Sequence, residues 1–198
     1  MHFYFDFISP FGYFAALRVG DVATRHGRDC EWHAMLLGVS VLKVMGLKPL
    51  VETPLKGPYL TKDAARYARR HRIALKRPLD GPQMNPVPAA RAFHWLKRHH
   101  ADRYRGIAVD LLDAYWHEAR NLEDPGEIAA IAGRRGVENA DVRAAIESDE
   151  ARQLLRAAVD ASLKQGVFGS PFFIVDGEPF WGVDKLEQID EWLTLGGW

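Results

Sequence analysis

Strand-forming sequence is confined to the two ends of this chain, with a long stretch of helix-forming sequence between them. Any sheet must therefore be assembled from both termini. At the start, Phe3 to Ile8 is an aromatic-rich apolar run, Ser9-Pro10 interrupts it, and Cys30 to Met35 forms a second run. Between them Phe11, Ala15, Val19, Val22 and His26 recur at three- and four-residue steps, with Gly27 as a stop, which predicts one amphipathic helix. Pro10 suits a first helical turn because its missing N–H would be unpaired there anyway, so Ser9 is the expected N-cap.

From Gly38 to about Gln165 the pattern is helical, after a Pro- and Gly-punctuated loop around Gly46 to Pro58. Helices are predicted at Thr61 to Arg72, Pro88 to His100, Arg103 to Arg120, Ala140 to Glu147 and Asp149 to Gln165. Another begins at Asp124-Pro125-Gly126-Glu127, which combines an N-cap, a proline at the first position and a capping-box acid. Gly136 and Gly166 punctuate two helix ends. The β pattern then returns: Phe172 to Val175, a turn at Asp176-Gly177, and Pro179 to Trp181 read as a hairpin. Asp184 is expected to cap a last helix with Glu187 at the capping-box position. The order β-α-β, helical block, β-β-α predicts an α/β chain. Residues 1–37 and 166–198 would form a discontinuous sheet domain, with 38–165 as an inserted helical domain walling a cleft.

Composition narrows the function. At 198 residues the chain buries enough surface to fold without a staple. Its 26 basic and 26 acidic side chains cancel, which argues against a nucleic-acid or membrane partner. No run approaches the ~18 apolar residues of a membrane span. The segment Met1 to Ile8 has no basic flank and carries Asp6 within its apolar run, unlike a signal peptide, so a cytoplasmic location is expected. The single cysteine, Cys30, rules out an internal disulfide, a CxxC redox pair and a thiolate zinc cluster.

Three places could carry chemistry. Ser9, between a strand and a helix, is either a simple cap or a hydroxyl donor to an anion held at the helix start. In Gly166-Val167-Phe168-Gly169-Ser170-Pro171, the proline precedes a buried strand, as a trans strand-initiating residue or in a tight cis turn that leaves the Ser170 backbone free for a ligand. In Phe180-Trp181-Gly182-Val183-Asp184-Lys185, Asp184 is a cap or an acceptor for a ligand ammonium. Other features read as structural. None of the eight histidines is arranged as HExxH, and no metal site is expected, including at Asp110, Asp113 and His117 on one helix face. The basic runs Arg69 to Arg72 and Lys97 to His100 read as solvated faces. Trp32, Phe93, Trp95, Tyr115 and Trp116 read mostly as core, and Cys30 as a small buried hydrophobe.

Taken in order, Ser9-Pro10-Phe11-Gly12, Gly-Val-Phe-Gly-Ser-Pro at 166–171 and Phe-Trp-Gly-Val-Asp-Lys at 180–185 resemble the 2-hydroxychromene-2-carboxylate isomerase family, a DsbA-like branch of the thioredoxin fold related to kappa-class glutathione transferases. Leu36-Leu37-Gly38, Pro54 to Tyr59 with Asp63 and Arg66, and Asn85-Pro86 extend the resemblance over essentially the whole chain. It implies a thioredoxin-like fold with a large helical insertion, and glutathione as cofactor. Ser9 would hydrogen-bond the glutathione sulfur, where related disulfide oxidoreductases carry their first cysteine. Ser170, before a cis Pro171, would pair with the cysteinyl backbone, Asp184 would bind the γ-glutamyl ammonium, and Lys56 would lie near the glutathione carboxylates. Two positions depart from the family pattern. Gly46-Leu47-Lys48-Pro49 lacks the asparagine of the kappa-type loop, and Val183 replaces an Asn or Ser, leaving only its backbone N–H to bind.

The implied reaction opens the ring of a 2-hydroxychromene-2-carboxylate or a related ring-fused aromatic acid. A thiolate adds to an electron-poor carbon, a bond made single by that addition rotates, and the thiolate leaves to give trans-o-hydroxybenzylidenepyruvate. A helix start and a serine donor favour the thiolate, since a free thiol near pKa ~8.5 is only a few per cent ionised at neutral pH. A kappa-like transferase or peroxidase, or a non-catalytic thioredoxin-fold binding module, are the alternatives. A homodimer is expected from the resemblance.

Overall fold

The computed structural model describes Met1–Trp198. Strand β1 (His2–Phe5) pairs in parallel with β2 (Glu31–Ala34), and the crossover between them carries α1 (Pro10–Ala16) and α2 (Val19–Arg25). The single helix predicted over this crossover is thus broken. Arg18 leaves helical geometry at φ −126°, and its guanidinium donates to the Tyr67 hydroxyl at 2.7 Å and to Glu187 at 3.1 Å. After the break, α2 and its C-cap present Arg25 and His26 to Asp190 near the chain's end.

The helical block follows as α3 (Lys56–Arg70), α4 (Val87–His99), α5 (Tyr104–Trp116), α6 (Pro125–Gly133), α7 (Asn139–Glu147) and α8 (Asp149–Lys164). Helix α3 begins earlier than predicted because Pro58 sits in its first turn, where a missing N–H costs nothing. The Gly46 to Pro58 region is less open than expected. It is preceded by a π-helical segment at Gly38–Val44 and contains a short 3₁₀ turn at Leu50–Glu52. Helix α5 stops before Arg120, at Trp116, where the main chain turns and Ala119 adopts a φ of 62°. At α6 the Asp124 carboxylate accepts from Gly126 N–H at 2.8 Å, as its motif predicts.

Strands β3 (Phe172–Val175) and β4 (Glu178–Trp181) form the expected hairpin, with Asp176 and Gly177 at φ 52° and 93°, and α9 (Lys185–Leu195) closes the chain. The sheet order is β2-β1-β3-β4, and β3 runs antiparallel to both neighbours. The sheet built from both termini is therefore realised, with Phe3 opposite Trp32 on one side and Phe173 on the other. These three rings, with Phe5 and Phe93, pack at centroid separations near 5 Å, Phe3 stacked on Phe173 and edge-on to Trp32, and anchor one hydrophobic cluster running from the sheet through α4–α8. The terminal segments and the helical block share this core. No helix is long and apolar enough to cross a membrane.

Candidate active site

The chemistry-bearing turns meet at the carboxyl ends of β1 and β2. Where β1 ends, the chain folds back on itself: Ser9 N–H donates to Asp6 C=O at 3.0 Å, and Ser9 Oγ accepts from Gly12 N–H at 3.0 Å, capping α1. The same hydroxyl donates to Ser170 C=O at 2.9 Å, and Asp6 N–H donates to Ser170 Oγ at 2.9 Å. Two strong bonds thus tie segments more than 160 residues apart in sequence. Ser9 is 5% exposed, so its hydroxyl is a positioned group and not a solvated one.

The Ser170-Pro171 peptide is cis. Pro171 C=O accepts from Gly182 N–H at 3.1 Å, which brings the 182–184 turn against the proline loop. The Ser170 and Val183 N–H groups donate to no protein acceptor. Asp184 does not cap α9 as predicted. It has helical φ and ψ of −64° and −17°, so its carboxylate is not aimed at the helix start, and no side-chain cap forms. The carboxylate instead folds back over Gly182, where an added Cβ would strike Oδ1, and it is 74% exposed with Lys185 Nζ at 3.7 Å. Glu187, the predicted capping-box acid, pairs with Arg18. Ser9, Ser170, Pro171, Val183 and Asp184 are therefore assembled by three turns that hydrogen bonds link through the proline loop. Lys56, on the first turn of α3, is exposed and forms no hydrogen bond or ion pair with them.

Two further residues shape the site, Asp6, to which no motif pointed, and Gly12, which lies in the Ser9-Pro10-Phe11-Gly12 motif without a role read for it. Asp6 is fully buried, its Oδ2 accepting from Leu37 N–H at 2.7 Å and its Oδ1 from Ile8 N–H at 3.2 Å. Burial pushes its carboxyl up to about 6, outweighing the backbone N–H groups that pull it down. An acid inside an apolar strand run was the available signal. The second is Gly12, where a Cβ would lie 2.7 Å from Ser170 Oγ and 3.2 Å from Asp6 C=O. Only a glycine lets the two serine loops close on each other.

Around this centre, Phe168 and Trp181 pack edge to face at 4.9 Å and remain 37% and 53% exposed. Ser40, in the π-helical segment, donates to Phe168 C=O at 3.5 Å. The lone thiol is elsewhere in chemical terms: Cys30 is 1% exposed, and burial pushes it up to about 12. Such a thiol is not a nucleophile at neutral pH. The acid–histidine stripe of α5 is committed to other partners. Asp110 binds Arg135, Asp113 accepts from the Tyr13 hydroxyl at 2.7 Å, and His117 Nδ1 lies 2.9 Å from Ala74 C=O.

A strand-turn-helix serine facing a cis-proline loop, on a mixed four-stranded sheet with a helical insertion, defines a thioredoxin-fold protein of the DsbA type. Residues 1–194 match the DSBA-like thioredoxin domain family, and the chain belongs to it. Among curated relatives it is similar to a 2-hydroxychromene-2-carboxylate isomerase of Sphingobium xenophagum, with 26% identity over 192 residues covering 96% of each chain. Among solved structures it is similar to a 2-hydroxychromene-2-carboxylate isomerase, with a TM-score of 0.82 and 23% identity over 98% of this chain and 93% of that one. It also resembles the cytosolic disulfide reductase DsbM of Pseudomonas aeruginosa, solved with GSH, with a TM-score of 0.66 and 14% identity over 98% and 95% of the two chains. The resemblance and the fold read from the ordered motifs are thus borne out.

Proposed function

We propose that this protein is a glutathione-dependent isomerase of 2-hydroxychromene-2-carboxylate or a related ring-fused aromatic acid. The observation that carries this reading is the buried Ser9 hydroxyl held against the cis-proline loop, in a chain whose own thiol is inert. A DsbA-type scaffold without a reactive cysteine cannot exchange disulfides through its own sulfur, so the reactive sulfur must arrive with a ligand. The residues present fit glutathione: the Ser170 and Val183 N–H groups lack protein acceptors, and the Asp184 carboxylate is spent on no cap. The names of the relatives add support for the reaction class.

Glutathione bound here would supply the thiol nucleophile of the isomerisation and would be regenerated. Ser9 would hold the sulfur by redirecting its hydroxyl from the Ser170 carbonyl, and the Phe11 N–H in the first turn of α1, which has no protein acceptor, would favour the anionic form. Ser170 would pair with the cysteinyl backbone, Asp184 would receive the γ-glutamyl ammonium, and the exposed Lys56 would attract a glutathione carboxylate. The exposed rings of Phe168 and Trp181 offer apolar faces to an aromatic acid.

The test is to titrate glutathione while following 2-hydroxychromene-2-carboxylate by absorbance, with chlorodinitrobenzene conjugation in parallel. Turnover with catalytic, unconsumed glutathione is expected. Stoichiometric consumption would make the protein a transferase, and no binding at millimolar glutathione would refute both readings.

A further inference from the structure

Far from Ser9, at the amino end of β1, a second group of side chains converges. The parallel register sets His2 against Glu31 and Tyr4 against His33. Since side chains alternate along a strand, these four share one sheet face, opposite the buried Phe3 and Trp32. His2 Nδ1 lies 3.1 Å from His33 Nε2 and 3.5 Å from Glu31 Oε2, and His33 Nε2 lies 3.9 Å from the same oxygen.

We propose that His2, Glu31 and His33 form a binding site for a divalent first-row cation of the zinc type. The reason is the shape of that triangle. A metal bound at ~2.0–2.2 Å by imidazole nitrogens and a carboxylate oxygen in tetrahedral geometry sets its ligand atoms about 3.3 Å apart. The three separations bracket this value, so rotamer adjustments of a few tenths of an ångström bring all three atoms onto one ion. A pair of imidazoles with one carboxylate is a borderline donor set, suited to Zn²⁺ or Co²⁺ in preference to Mg²⁺ or Ca²⁺.

The surroundings both orient and weaken such a site. Glu31 Oε1 is held by Lys97 Nζ at 2.7 Å, and that ammonium also donates to Trp32 C=O at 2.9 Å, so the carboxylate is oriented with Oε2 turned to the histidines. Lys97 is thus not on the solvated face predicted for its basic run. Its charge, 3.5 Å from His33 Nδ1, opposes a cation, so the affinity is expected to fall below that of closed structural zinc sites. His2 and His33 line a cavity of about 550 Å³ between this sheet face and α8, with Tyr4, Ser162, Gln165 and Asp176 on its walls. Three protein ligands beside an open cavity leave the fourth position to water or a small oxyanion, as in metal sites that exchange ligands.

Sequence spacing does not show this site, because its ligands come from two strands about thirty residues apart and meet only through register. The experiment uses the full chain without a polyhistidine tag, stripped with a chelator, titrated with Co²⁺ by visible absorption and then with Zn²⁺ in competition. One equivalent of tetrahedral or five-coordinate Co²⁺ is expected, displaced by one equivalent of Zn²⁺. Both ligands to be changed are about half exposed, so His2→Ala and Glu31→Gln should retain the fold, checked by circular dichroism. Each should bind Co²⁺ at least ~10-fold more weakly. The proposal is overturned by the absence of one-to-one binding up to ~100 µM metal, or by folded variants that bind as the parent does.

Discussion

Replacing Asp6 with asparagine isolates the most consequential buried charge in this fold. Asp6 is 0% exposed and titrates at about 6, against ~3.9 for an unfolded aspartate. Because the folded value is the higher one, the native state holds a proton that the unfolded chain releases. The associated stability is complete below pH ~4 and is lost as pH rises through about 6. The gap between the two values corresponds to about 3 kcal/mol at ~1.36 kcal/mol per pH unit. Asparagine imitates the protonated form and does not titrate. At pH 4 it should cost about 1–3 kcal/mol, since its amide nitrogen faces an N–H of Leu37 or Ile8 where an oxygen had accepted. Between pH 4, where the unfolded aspartate is already about half ionised, and pH 7 the variant should then gain about 2 kcal/mol relative to the parent.

The comparison must be a difference, because His94 works in the opposite sense. Burial holds His94 down to about 4, so its share of stability is present above ~6.5 and is lost as pH falls. In the parent the two effects offset each other over the same window. Urea midpoints for both proteins at several pH values between 4 and 7, with m unchanged, give the difference directly. A stability gap between them that stays constant or widens with pH would refute the reasoning, because it would mean that the backbone N–H groups outweigh burial.

Three further outcomes are expected. Ser9→Ala removes both the cap on Gly12 and the bond to the Ser170 carbonyl, so it should cost about 1–2 kcal/mol in denaturant unfolding while lowering isomerase turnover by about 100-fold or more. Equal activity would take Ser9 out of the reaction. Gly12→Ala forces a Cβ to 2.7 Å from Ser170 Oγ and should destabilise by about 1–3 kcal/mol with loss of turnover, whereas Gly20→Ala, with open space around its Cβ, should not destabilise. Cys30 should resist iodoacetamide in the native protein at pH 8 and react only on unfolding, as followed by mass spectrometry, since its thiol is buried and pushed up to about 12.

The contrast between Ser9 and Asp184 shows how far local sequence reaches. Ser9-Pro10 specifies a cap because both residues act within one helical turn, and the structure has that cap. Asp184 fits the same local rule yet turns its carboxylate away, because Gly182 is held by the Pro171 carbonyl and sets the entry angle of α9. Likewise the apolar stripe from Phe11 to His26 has helical period throughout, but it cannot show that Arg18 will break the helix to reach Tyr67 and Glu187.

By itself the sequence determined the element order, the pairing of chain ends into one sheet, the hairpin at Asp176-Gly177 and the ordered motifs that mark the family. These depend on periodicity, turn chemistry and capping, whose range is a few residues. Only the tertiary structure decided that Asp6 would be the buried acid beneath Ser9, that Gly12 would be the point of closest approach to Ser170, and that His2, Glu31 and His33 would converge. Each of those depends on strand register or on contacts between opposite ends of the chain. The confinement of strands to the two termini guarantees that such contacts exist, and packing chooses which residues make them.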